Sequence, residues 1–79
     1  MKARVTEMLK DGVLDPQGEA VKNALKSLEY KKVESVRQGK VIGIRLDENS
    51  EERANKSIKE MCEKLLANTV IESYEIEII

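Results

Sequence analysis

The sequence predicts an α+β domain with elements in the order strand, helix, strand, strand, helix, strand. Three observations predict it. Short segments near both ends alternate apolar and polar residues, two longer stretches repeat apolar residues at helical spacing, and Gly, Pro and Asn punctuate the joins.

Residues 3–10 alternate, with Ala3, Val5 and Leu9 on one side and Arg4, Thr6 and Lys10 on the other, as a half-buried strand requires. Glu7 stands in the inward phase and breaks it. The run Gly12-Val13-Leu14-Asp15-Pro16-Gln17-Gly18 reads as a loop feeding a helix. Asp15 is placed to cap, and Pro16 falls at the first helical position, where its missing N–H costs nothing. Ala20, Val21, Ala24, Leu25 and Leu28 form one apolar stripe, so the first helix is predicted over 16–29. Val33 to Arg37 is expected to be a short strand, Gln38-Gly39 its turn, and Ile42, Ile44 and Leu46 the inward face of the returning strand. Asn49 with Glu52 resembles a capping box for a second helix, whose buried stripe is Ala54, Ile58, Met61, Cys62, Leu65 and Leu66. Glu52 with Lys56 and Glu60 with Lys64 are favourable (i, i+4) pairs. Asn68 suits a left-handed stop, and Tyr74, Ile76 and Ile78 alternate with Glu75 and Glu77 in a last strand.

This order is the ferredoxin-like β-α-β-β-α-β pattern, a four-stranded antiparallel sheet with two helices on one face. It places the first strand between the third and fourth, with outward Arg4 and Thr6 beside Arg45 on one side and Glu75 and Glu77 on the other.

Seventy-nine residues make one domain, 1–79, and a chain of this size buries only roughly 60% of its unfolded surface. Apolar residues make up 41% and charged ones 37%, yet Phe and Trp are absent and the aromatics are Tyr30 and Tyr74. The core is therefore thin, and self-association or a partner surface is expected to make up the deficit. A net charge of −1 with interleaved signs offers no field to collect phosphates, so nucleic acid is not an expected partner. The start MKARVTEMLK lacks the apolar run of a signal peptide, no later stretch is of membrane-spanning length, and a cytoplasmic location is expected.

Histidine is absent, which removes the commonest general base near neutral pH and the commonest nitrogen ligand for metals. Cys62 lies on an apolar stripe with no histidine to activate it and reads as a buried structural thiol. The carboxylates of the second helix fall among lysines on a solvated face. Two spots bear a functional reading. Gly12 to Gly18 opens a helix, where exposed N–H groups hold anions and glycines let a partner backbone come close. Read plainly, Asp15 caps the helix and the glycines make turns. Arg37-Gln38-Gly39-Lys40 sets two cations around a turn, able to meet a carboxylate or phosphate on another protein.

GVLDPQG at 12–18, Ala20-Val21, VESVRQGK at 33–40 and CEKLLANTVIESY at 62–74, in this order and spacing over nearly the whole chain, resemble the PurS family, the small subunit of phosphoribosylformylglycinamidine (FGAM) synthase. The resemblance implies an accessory, non-catalytic subunit of a purine-biosynthetic step. In that family a glutaminase subunit, PurQ, releases ammonia. A synthetase subunit, PurL, uses ATP and Mg to activate the amide oxygen that the ammonia replaces. The small subunit binds no cofactor, bridges the two as a homodimer or dimer of dimers, and assists ammonia transfer. The resemblance turns Gly12, Val13, Leu14, Asp15, Pro16, Gln17, Gly18, Arg37, Gly39, Lys40, Asn68 and Thr69, with the turn through Glu72, into candidate partner-contact residues. Two departures stand out: Glu29 where the family often has a glycine ending the first helix, and Glu7 where an apolar strand residue is usual. A different class, a small-molecule-binding regulatory domain, stays open, because fold alone does not separate the two. An RNA-binding sheet would need exposed aromatics that Tyr74 alone does not supply.

Overall fold

The computed structural model describes residues 1–79. In chain order it contains β1 (Lys2–Leu9), α1 (Pro16–Ser27), β2 (Gly39–Arg45), α2 (Glu51–Met61), a π-helical turn (Cys62–Leu66) and β3 (Glu72–Ile78). The sheet is antiparallel with order β2-β1-β3, so the first strand is central, as the element order predicts. Its inward residues Ala3 and Val5 are buried beneath Ile58 and Cys62, and Ile42, Ile44, Ile76 and Ile78 pack around them. On the far face Arg4 lies opposite Glu77 and pairs with it at 3.1 Å, and Thr6 lies opposite Glu75. Arg45 lies opposite Lys2 and not beside Arg4, whose partner on β2 is Gly43.

The structure has three strands where four were expected. Val33 to Arg37 runs without ladder partners, and Gly39 begins β2 instead of turning a hairpin. The cause lies in side chains. Arg37 Nη2 donates to the carbonyls of Leu9 and Lys10, and Asp15 accepts the Gln38 N–H, which hold this segment beside the start of α1 and away from the β2 edge.

Only α2 covers the sheet. The molecule measures 49 × 24 × 14 Å, and α1 reaches along its length with Ala20, Val21, Ala24 and Leu28 exposed and Leu25 half-buried. The α1 stripe is thus real in spacing but lacks the expected cover. Helix α1 ends at Ser27, two residues before the prediction, and Glu29 takes the left-handed φ of 74° that a glycine would adopt without strain.

The N-cap of α2 is Ser50, whose side chain accepts the Arg53 N–H, and not Asn49. Glu48 accepts the N–H groups of Asn49 and Ser50, which holds its carboxyl below the usual range. Its ion pair is with Arg53 at 3.3 Å, and neither Glu52 with Lys56 nor Glu60 with Lys64 closes to that distance. At the end of α2, a π turn holds more residues per turn than an α turn, which changes the phase of the stripe. Ala54, Ile58 and Cys62 stay buried, whereas Leu65 is 83% exposed. The helix ends without a left-handed Asn68; Ala67 is extended.

Candidate partner-contact site

Three separate stretches singled out in the sequence meet at one end of the domain. The first is the loop after β1. Asp15 caps α1 by accepting the Gly18 N–H on Oδ1 at 2.9 Å, while its Oδ2 accepts the Gln38 N–H at 2.8 Å. One carboxylate therefore ties the 12–18 loop to the 37–40 segment. These two bonds, the Gln38 one first, hold the Asp15 carboxyl below its ordinary range against the opposing effect of burial, with a lesser contribution from the nearby Arg37 guanidinium. Gly12, at φ 86°, makes the turn that precedes it.

Two glycines allow this close approach. A Cβ on Gly18 would collide with the Val36 carbonyl oxygen and the Asp15 carboxylate, and one on Gly39 with Met8 Sδ and the Glu7 carbonyl oxygen. The signal for these positions was the glycine itself; which backbone it admits is visible only in the fold.

The third stretch, Asn68 to Glu72, is a turn stapled to itself. Glu72 Oε1 accepts the Asn68 N–H at 2.7 Å, the Glu72 N–H returns to the Asn68 carbonyl at 2.7 Å, and Asn68 Oδ1 accepts the Val70 N–H. Lys10 joins this turn to the first loop, its N–H donating to the Ile71 carbonyl and its Nζ to the Thr69 carbonyl at 2.7 Å. Sequence reasoning missed Lys10, since a lysine just past a strand carries no signal of its own.

At this end Val13 is half-buried, Leu14 and Val70 are 77% and 81% exposed, and Pro16 and Gln17 are exposed. Of the two cations flanking Gln38-Gly39, Arg37 spends Nη2 on the chain's own carbonyls. Lys40 Nζ lies 3.3 Å from Glu7 Oε2 and 3.9 Å from Glu72 Oε2. The helix start likewise holds its own carboxylate, that of Asp15, so its N–H groups are not laid open to an external anion. No paired nucleophile and base is present here. The arrangement offers a rigid polar loop cluster with apolar side chains standing out of it, which suits contact with a protein surface.

Cys62 is buried at the start of the π-helical turn, where burial and the carboxylates of Glu7 and Glu63 push its thiol up and away from the reactive thiolate.

Comparison with known proteins agrees along the whole chain. The family model PurS, described as phosphoribosylformylglycinamidine (FGAM) synthase, matches residues 2–79. The chain is 51% identical over 77 residues to phosphoribosylformylglycinamidine synthase subunit PurS of Bacillus subtilis, covering 98% of this chain and 90% of that one. The crystal structure of Methanocaldococcus jannaschii PurS superposes with a TM-score of 0.86 at 46% identity, covering 96% of this chain and 92% of the other. A chain in the structure of PurLQS from Thermotoga maritima superposes with a TM-score of 0.87 at 32% identity, covering 96% and 93%.

Proposed function

Since this chain belongs to the PurS family, and is thereby a subunit of FGAM synthase in purine biosynthesis that does not itself carry out the catalysis, we propose that it bridges the synthetase subunit PurL and the glutaminase subunit PurQ and assists the passage of ammonia between them. The observation that carries the bridging role is the likeness, over 96% of the chain, to a subunit seen within a PurLQS structure. The convergence of the 12–18, 37–40 and 68–72 stretches at one end supplies the contact surface. ATP and Mg serve the synthetase partner, and this chain binds neither. No helix is long and apolar enough to cross a membrane, and the cytoplasm is the compartment this role requires.

The chain also pairs with itself. Helix α1 carries Val21 at 41% and Leu28 at 67% exposure on a stripe that the chain's own sheet does not cover, and a second copy is the occupant that serves the thin core. A homodimer or dimer of dimers follows, and sedimentation of the chain alone distinguishes them.

The test of function is reconstitution. Glutamine-dependent and ammonia-dependent amidine formation are assayed in parallel by the synthetase and glutaminase subunits, with and without this chain. Loss of the glutamine-dependent rate alone supports bridging. No change in either rate removes it and brings forward a small-molecule-binding regulatory domain, for which direct ligand titration is the next measurement.

A further inference from the structure

Glu7 is the one acidic side chain of the core. It occupies the inward position that follows Ala3 and Val5 on the central strand, its side chain is fully shielded from solvent, and neither carboxylate oxygen has a hydrogen-bond partner. Burying a carboxylate without hydrogen bonds is unfavourable, and a Leu or Val at this place would avoid that cost. Beside the acid lies a cavity of about 260 Å³ lined by Glu7, Leu9, Gln17, Gln38, Gly39, Lys40 and Glu72. A single water needs only ~15 Å³ of such space, so the cavity is large enough for the end of a side chain. Lys40 does not fill it. Its Nζ approaches Glu7 Oε2 and Glu72 Oε2 at 3.3 and 3.9 Å without making a hydrogen bond to Glu7, and its side chain is 57% exposed. Two carboxylates against one ammonium leave the cavity with a surplus negative charge.

We infer that this cavity is a socket for the guanidinium of an arginine side chain presented by a partner protein. A carboxylate with neither oxygen hydrogen-bonded, beside a second one, matches the flat multi-pronged donor set of guanidinium better than the point charge of an ammonium, and Lys40 shows how an ammonium can pair with Glu7 and still leave its hydrogen bonds unmade. Entry of the guanidinium releases Lys40 toward solvent and completes the hydrogen bonding of Glu7. The inference rests on the reading that this end of the domain meets a partner, and it names the group that enters.

The experiment has two arms. In the first, methylguanidinium chloride is titrated into the full chain at constant ionic strength, with methylammonium chloride as the equal-charge control, and the Gly39 amide resonance is followed by NMR. The expected result is a saturable shift with methylguanidinium, weakened about tenfold in Glu7→Gln and several-fold weaker with methylammonium. Absence of the shift, equal response to both cations, or equal response of Glu7→Gln overturns the socket. In the second arm, Glu7→Gln and Glu7→Leu are compared for thermal midpoint alone and for assembly with the synthetase and glutaminase subunits. Glu7→Leu raises the midpoint because it removes a buried acid that makes no hydrogen bond, and both variants weaken assembly about tenfold or more. A variant that folds and assembles like the parent overturns the partner's arginine. The titration needs no partner, so failure of the parent chain to assemble counts against the bridging function and not against the socket.

Discussion

Between β1 and α2, Val5, Ile58 and Cys62 have no exposure to water, whereas along α1 Val21 and Leu28 retain 41% and 67%. The first region is stabilised by removal of apolar surface. The second is held by directed bonds: Asp15 to Gly18 and Gln38, and Arg37 to Leu9 and Lys10. The contrast separates what folding of one chain needs from what assembly needs. A region closed by packing is complete in itself, while one fixed by hydrogen bonds beside bare apolar side chains is shaped for something else to cover.

The largest expected effect tests the packed region. Ile58→Ala opens a cavity against Val5 and Cys62 and lowers stability by about 2–5 kcal/mol, read from urea unfolding. Leu28→Ala in the monomer, kept dilute, changes it by less than about 0.5 kcal/mol. Equal losses in the two would mean that α1 is packed in solution, and the contrast would fail.

Gly39→Ala probes the boundary. Its Cβ meets the Glu7 carbonyl oxygen, a backbone atom with no freedom to move aside, and a loss of about 1–3 kcal/mol is expected, with faster hydrogen exchange at the β1–β2 end. Asp15→Asn acts on the bonded region alone: the Gln38 amide loses exchange protection while the α2 amides keep theirs. The same change follows acidification. The carboxyl of Asp15 titrates below its ordinary value when folded, so its contribution is fully present above the ordinary carboxylate range and fades as pH falls through the lowered value. Protection of the Gln38 amide that is lost already within the ordinary carboxylate range would remove the account.

The smallest effect is at Tyr74, whose hydroxyl donates to Glu63 Oε2 at 2.7 Å and whose ionisation is pushed up to about 12. The neutral phenol is favoured on folding, so this contribution is intact below the ordinary tyrosine value and is lost as pH rises through about 12. Glu63→Gln should return the ultraviolet titration of Tyr74 toward its ordinary position with little change in the melting curve.

The same contrast explains what was legible in the sequence. β1, α2 and β3 were readable because burial imposes a period: Ala3 and Val5, then Ala54, Ile58 and Cys62, then Tyr74, Ile76 and Ile78. The 33–37 segment also carries apolar residues, yet its path is decided by Arg37 and Asp15, and long-range side-chain bonds leave no periodic trace. Leu65 was misplaced because a π turn does not announce itself in an apolar stripe. At the candidate site, Asp15, Gly18 and Gly39 were found through their turn chemistry. That the three stretches share one end, and that Glu7 opens between them, depends on pairings across the sheet.

The central position of β1 has a kinetic consequence. Its neighbours come far later in the chain: Met1 reaches Leu46 over a separation of 45 residues, and Arg4 reaches Glu77 over 73. β1 waits for α1 and the 28–38 stretch to be made before β2 can pair with it, and for α2 as well before β3 can. The sheet closes only after β3, Glu72–Ile78, has left the ribosome. Such a chain folds late and by long-range search, with the apolar side of β1 awaiting both neighbours. A nascent subunit of this kind gains from meeting its assembly partners, or a chaperone, before the sheet closes.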